Sequence, residues 1–432
     1  MTVEIQILII MVGIFFFFLV AGFPMMIPLI LAPVVIMALY IPNLDPLTIV
    51  QQLFTGVQIY SLLAVPMYMF AADIMCKGRT AESLIDIMKS FVGHIRGGLA
   101  ISAAAACTFF GAISGSCQAT LVAIGKPMRP KMLEAGYKDK DVIALLMNSA
   151  NIAMLIPPSA TMILFCVTAG TSVAELFLAG VVPGLVMFFM FAIYSYIHAR
   201  RNNTPIQPRA SWGERWRVIK KGALAIGFPI VVLGGIYAGI FSVIESAAIA
   251  VLYAIIMEMF IYKSVTLKDI YELARKTGMV TSAVFVLIAA GNAFSFVATY
   301  SMIPQTILRL VLGPSPTKLQ MLIVISAAFW IMNMFVDGTV TILILVPIFF
   351  KTAVALGIDP IHIGIIVTMQ SAIGSITPPF GCNIFTACAI YRKSYADCVK
   401  GLPPYIIMMV LVSILLIAFP VLSTGIVNLV YK

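Results

Sequence analysis

Almost the whole chain falls into apolar runs of roughly 17–25 residues, the length that spans a hydrocarbon core of about 30 Å. Such runs read as membrane helices, because no water is present at that depth to satisfy an open backbone. Composition agrees: 62% of the 432 residues are hydrophobic and 10% are charged, where a soluble domain carries about a quarter. The first run, Ile5 to Tyr40, is too long for one span and is interrupted at Gly22, Phe23 and Pro24, so two helices joined by a tight turn are expected. It has neither a basic start nor a small-residue cleavage site, so it is not a cleaved signal peptide.

A formal net charge of +10 invites a nucleic-acid reading, but the bases sit at helix ends and in loops, as orientation by the positive-inside rule requires. No nucleic-acid partner is expected. The seven cysteines (Cys76, Cys107, Cys117, Cys166, Cys382, Cys388, Cys398) are dispersed and form no Cys-x-x-Cys pair, and the three histidines lie far apart. No metal cluster, haem site or disulfide framework is expected from them.

The chain repeats itself. Ile156-Pro157-Pro158-Ser159 is answered 221 positions later by Thr377-Pro378-Pro379-Phe380, and at the same offset Gly136 meets Gly357, Gly180 meets Gly401 and Pro183 meets Pro404. Upstream, Leu47 and Leu53 meet Leu267 and Leu273. Two halves follow, 1–199 and 222–432, joined by a basic linker at 200–221. The first half should hold scaffold helices over 1–76, including an amphipathic segment 46–57 leading into a span 58–76. A surface helix 80–92, a helical hairpin 97–133, a broken span 141–169 and a last span 174–198 complete it. The second half repeats this with scaffold helices over 222–299 (amphipathic segment 266–277, span 279–299) and a surface helix 303–312. Its hairpin is 317–356, its broken span 363–391 and its last span 403–428.

If each hairpin is re-entrant, each half crosses the membrane five times, and an odd number forces the halves into opposite orientation. With the linker in the cytoplasm, all 27 basic residues except Arg309, Lys318, Lys351 and Lys432 fall on the inner side. The expected fold is therefore an all-α polytopic membrane protein of two inverted repeats, each with five spans and one re-entrant hairpin.

Chemistry should gather where the backbone is irregular. The first hairpin tip, Gly111-Ala-Ile-Ser114-Gly115-Ser116-Cys-Gln118-Ala-Thr120, puts hydroxyls and glycines inside apolar flanks. The second, Asn333-Met-Phe-Val-Asp337-Gly338-Thr339-Val-Thr341, holds the only acid between Glu272 and Asp359. A carboxylate at membrane depth suggests an ion or proton role; helix capping by the same side chain is the plainer account. Asn148-Ser149-Ala150-Asn151 precedes the first Pro-Pro, and Gln370-Ser371-Ala372-Ile373-Gly374-Ser375 the second. Proline removes an amide donor and frees carbonyls upstream, so breaks and tips together make an oxygen cage suited to a hard cation such as Na+. Paired interruptions of this kind point to a midplane site. Asp73, Glu175, Glu245 and Glu258 lie near span ends, where interfacial solvation is expected.

The motifs Gly111-Ala-Ile-Ser-Gly-Ser116, Ile156-Pro-Pro-Ser159, Gly180-Val-Val-Pro-Gly184 and Thr377-Pro-Pro-Phe-Gly381, in this order across essentially the whole chain, resemble the large membrane subunit of tripartite ATP-independent periplasmic (TRAP) transporters, the DctM type. The resemblance implies a Na+-driven importer of the wider ion-transporter superfamily in the bacterial inner membrane, working by an elevator motion. It implies a small four-helix membrane subunit and a periplasmic substrate-binding protein as partners, with an organic anion as substrate. Because the chain begins directly at the first span, the small subunit is expected as a separate protein. Length and motif set are similar to the sialic-acid members. On this reading one Na+ lies among Ser114, Gly115, Ser116, Asn151 and Ile156, and a second among Asp337, Gly338, Thr339, Gly374, Ile376 and Thr377. The substrate carboxylate lies between the tips, near Ser114, Ser116, Pro157, Ser159, Thr339 and Pro378, where helix N-termini offer amides. A proton-coupled carrier titrating Asp337 and a non-translocating scaffold subunit are the alternatives. An enzyme is the weakest reading, since no nucleophile–base pair, metal-ligand cluster or phosphate loop is evident.

Overall fold

The computed structural model describes residues 2–202, 204–313 and 316–431; Lys432, one of the four bases expected on the outer side, lies outside them. Every regular element among the described residues is a helix. Seven are long and apolar enough to cross a membrane, and two bent pairs bring the number to nine. Met26–Tyr40, expected as a span, has only 15 residues, short of the ~20 a straight crossing needs. Both limbs of the second hairpin, Lys318–Phe335 and Gly338–Ala355, have 18 residues, so length alone does not make them re-entrant.

Residues at the repeat offset do the same local work. Pro157-Pro158 and Pro378-Pro379 are both cis, and Gly136 (φ +82°) and Gly357 (φ +77°) both turn the chain after a hairpin. The scaffold breaks the likeness. In the first half the arm Leu47–Val57 meets the span Tyr60–Lys77 at 57°, and a tight 3-10 turn at Tyr60–Leu63 precedes Pro66. In the second half the expected segments 266–277 and 279–299 fuse into one helix, Leu267–Tyr300. The break falls at Gln58 and Ile59, between the arm and the 3-10 turn, and Pro66 stands beyond it in the first turn of Ala64–Lys77, where proline is tolerated; no proline interrupts 267–300. The last spans differ likewise. Val173–Arg201 is continuous, but the expected span 403–428 bends by 55° between Pro403–Ala418 and Val421–Tyr431, at Pro420.

The linker is also corrected. Helices run into it from both sides, to Arg201 and from Trp212, leaving only 202 and 204–211 non-helical among the described residues. Ser211 and Glu214 form a reciprocal cap that starts Trp212–Tyr237. Arg215, expected as a loop charge, is buried: its Nε donates to Ser90 O at 3.1 Å and its guanidinium lies over the Phe91 and Trp212 rings.

Glu258, expected at a solvated span end, has no exposure at all. It accepts from the backbone N–H groups of Arg79 (3.0 Å) and Thr80 (3.1 Å) and from the hydroxyls of Thr80 and Ser264. It thus sits on the N-terminus of Thr80–Val92, where a negative charge is favoured. This carboxylate ties the surface helix of the first half to a span of the second.

On the basic side Asp139 joins three elements. It accepts both arms of Arg129 (2.7 and 2.8 Å), from the returning limb of the first hairpin, and pairs with Lys393 at 2.9 Å, just past the second broken span. Hydrogen bonding from Arg129 holds its carboxyl below the usual carboxylate value.

Two tests follow. Glu258→Ala strands two buried donors on Thr80 and two part-buried ones on Arg79 and Ser264 and should lower stability by ~3 kcal/mol, read as a clear drop in the Tm of the purified protein; an unchanged Tm would remove the carboxylate from the scaffold's structure. For Asp139 the depressed pKa means that its contribution is present near neutrality and disappears as pH falls through the lowered folded-state value. The Tm gap between wild type and Asp139→Asn should therefore be largest at pH 6–7 and shrink towards pH 3. A gap independent of pH would refute the ion pair's role.

Candidate functional site

The first hairpin descends as Gly98–Ser114, a helix of small residues buried along almost its whole length. At its end Gly115 adopts φ +58°, and an added Cβ there would lie 1.8 Å from the carbonyl oxygen of Pro158. Only glycine lets the tip sit on the proline break so closely. Ser116 then caps the return: its Oγ accepts from Ala119 N–H at 3.4 Å. Ser114 Oγ lies 2.9 Å from Thr120 Oγ1, closing the tip. The return limb is not one regular helix. It opens into a π-helical turn at Leu121–Gly125 before Lys126–Glu134.

The second tip is built the same way from different residues. Asp337 caps Gly338–Ala355, accepting from Thr339 N–H at 2.9 Å. It was expected to be a buried carboxylate; it is exposed instead, which makes capping and contact with a solute compatible. Asn333 packs directly on Gly374, where an added Cβ would fall 2.3 Å from Asn333 Cβ. Trp330 Nε1 donates to Thr377 Oγ1 at 3.1 Å, and Phe380 N–H donates to Met334 O at 3.1 Å. Each tip therefore rests on the break of its own half.

The breaks in turn lock to each other. Asn151 donates through Nδ2 to Ala372 O (2.7 Å) and Ser375 Oγ (3.0 Å), and its Oδ1 accepts from Asn383. Asn151, expected beside the first tip, is thus committed to the opposite break. Ile156 and Ile376 are buried with Gly374, and Thr377 Oγ1 donates to Ile373 O at 2.7 Å.

Between the tips lies a cavity of about 380 Å³, within the range of small-molecule sites. Ser114, Gly115, Ser116, Asp337, Gly338 and Thr339 all line it, and Asp337 is its only charged group. Of the residues expected around the substrate, Pro157, Ser159 and Pro378 do not. Ser159 is fully buried, its hydroxyl facing Met162 N–H as a helix cap, because the proline turn packs behind the tip rather than beside it. The cavity instead adds Gln118, Thr161, Asn333, Ser371 and Ser375. All but Thr161 stand in the polar segments singled out from sequence; a lone threonine in the first turn of an apolar helix gives no such signal. Asn333 Oδ1, Asn148 Oδ1 and Ser149 Oγ are buried without a hydrogen-bond partner among the described residues, which leaves oxygen ligands available beside both breaks.

Comparison with known proteins decides the family. The model of the tripartite ATP-independent periplasmic transporter DctM component matches residues 12–422. The chain belongs to the DctM family. This TRAP large permease is 51% identical over 403 residues (93% of this chain, 94% of the relative) to the ectoine/5-hydroxyectoine TRAP transporter large permease protein of Ruegeria pomeroyi. It is 48% identical over 415 residues (96% and 97%) to the ectoine TRAP transporter large permease protein of Halomonas elongata. Its fold is that of the Alcanivorax borkumensis YdaH transporter, with a TM-score of 0.64 at 14% identity over 86% of this chain and 87% of that one. The permease is accordingly a multi-pass inner-membrane transport protein and not an enzyme.

Gly115→Ala should displace the first tip from Pro158, since it adds a Cβ at a left-handed residue and at an occupied point. Uptake by the assembled transporter should fall by about tenfold or more, ~1.4 kcal/mol in the rate-limiting barrier, while Ala112→Gly, one turn away, has little effect. Full activity in Gly115→Ala would show that the tip does not need this contact.

Proposed function

We propose that this permease imports a small carboxylate of the ectoine kind by Na+ symport, the two hairpins and broken spans moving as one carrier past the scaffold. The observation that carries the reading is the cavity between the tips, polar on the carrier side and holding a single carboxylate, Asp337. Ectoine is a cyclic amidine bearing a carboxylate. Its amidinium suits Asp337, and its carboxylate suits the helix N-termini that begin at Cys117 and Gly338. Ectoine takes the place of sialic acid because the two relatives named above are ectoine permeases.

Na+ prefers oxygen ligands. The first ion is assigned to the Ser114–Ser116 turn facing the first break, where Pro157 and Pro158 deprive the carbonyls of Ala153 and Met154 of helical donors. Asn148 Oδ1 and Ser149 Oγ are further ligand candidates there. The second is assigned to Asp337, Gly338 and Thr339 with Gly374, Ile376 and Thr377, joined by the unpartnered Asn333 Oδ1. The interlock of Asn151 with Ala372, Ser375 and Asn383 supports movement of both halves of the carrier as a unit. A small membrane subunit and a periplasmic binding protein complete the system, as the family description implies.

The test is uptake of labelled ectoine into proteoliposomes holding the permease and its small subunit, with binding protein outside. Uptake should require an inward Na+ gradient, and Asp337→Ala should reduce it at least about tenfold. Equal uptake with K+ and a pH gradient would replace Na+ by a proton on Asp337; ectoine-independent but sialate- or dicarboxylate-dependent flux would change the substrate.

A further inference from the structure

A second cavity of about 400 Å³ lies in the seam between carrier and scaffold, and it is aligned with the first. Three helices line both, turn after turn. From the second hairpin, Gly338 and Thr339 line the tip cavity, and Leu343, Val346 and Lys351 the second. From the first broken span, Thr161 and Leu164 are followed by Thr168. From the scaffold helix Leu267–Tyr300, Val280 and Val284 are followed by Asn292, Ser295 and Thr299. Ile288, 2% exposed, is the one lining residue common to the two. The cavities are thus consecutive chambers of one track, pinched at Ile288.

Position and charge give the second chamber a direction. The scaffold helix begins at the basic arm of Lys268, Arg275 and Lys276, and Thr299 stands about 35 Å further on at 1.5 Å per residue. The chamber therefore opens at the end of the scaffold remote from the basic side. Its only charged lining residue is Lys351, which is exposed and makes no ion pair among the described residues. Elsewhere in the same chamber Asn292 Nδ2 donates to Gln52 O at 2.8 Å and to Gln52 Oε1 at 3.2 Å, a polar pair held in the wall. A lone cation in a chamber with such polar groups in its wall is suited to a carboxylate, and it attracts one before the tips are reached.

We propose that this second chamber is a carboxylate-binding subsite on the outer approach to the tips, with Lys351 as its anchor and Gln52, Asn292 and Thr299 as hydrogen-bonding neighbours. The inference rests on the reading that the tip cavity takes the transported solute. Lys351 would bind the solute's carboxylate before it reaches the tips.

The test uses the purified complex without binding protein, in a background with its own cysteines replaced. Thr161→Cys reports on the tip cavity and Thr299→Cys on the second chamber, each through its rate of maleimide labelling as ectoine is titrated. Ectoine should protect both, and Lys351→Gln should raise the concentration for half-protection of Thr299→Cys about tenfold, with Lys351→Arg recovering most of it. Protection of Thr161→Cys but not of Thr299→Cys overturns the subsite alone, as does a Lys351→Gln curve that matches the parent. No protection at either position overturns the proposed function as well. If Lys351→Gln leaves protection intact but weakens binding of the periplasmic protein, the lysine belongs to a protein-docking surface and the proposal falls.

Discussion

The structure depends on one constraint: a backbone that breaks its helix at membrane depth must find partners inside the protein. Two spans break here, and each helps to satisfy the other. Asn151 of the first reaches the carbonyl of Ala372 and the hydroxyl of Ser375 in the second, and Asn383 returns a hydrogen bond to Asn151. Ser375 O takes a replacement donor from Asn383 N–H at 2.9 Å. All of these groups are buried, so the exchange is worth far more than the same contacts in water, and leaving one unmade costs the full desolvation of its partner. The crossing of the two breaks is what lets both tips be held against irregular backbone at the same depth.

From that crossing the cavity follows. Gly115 against Pro158 and Gly374 against Asn333 bring each tip within van der Waals contact of a break, so the two tips face one another across a common space. Helix N-termini, hydroxyls and amide oxygens line it, with one carboxylate. A site of that kind binds by dipoles and oxygen ligands and has no group arranged to cleave or form bonds. This agrees with a transport family.

Around this site the scaffold is asymmetric. The bends at Gln58–Ile59 and at Pro420 each lack a counterpart in the other half, so a repeat in sequence need not be a repeat in shape. The straight helix Leu267–Tyr300 supplies one wall of both chambers, which a bent counterpart could not do. Glu258, fully buried on the helix N-terminus at Thr80, stitches the halves of the scaffold together.

Apolar run length and the paired Pro-Pro motifs were enough, without coordinates, to establish a helical membrane protein, the hairpins, the breaks and the tip residues Ser114–Ser116 and Asp337–Thr339. These features are local: hydrocarbon thickness sets the runs, and proline and glycine act on their own turn of backbone. Sequence could not tell that Asn151 serves the opposite break, that Ser159 and Pro378 stand behind the tips, that Thr161 faces the cavity, or that Glu258 and Arg215 are buried rather than solvated. Nor could it tell that 266–277 continues straight into 279–299. Those facts depend on which surfaces meet after the chain has crossed the membrane many times. Partner choice at these buried polar groups is decided by three-dimensional proximity between residues more than a hundred positions apart, and no local pattern encodes it.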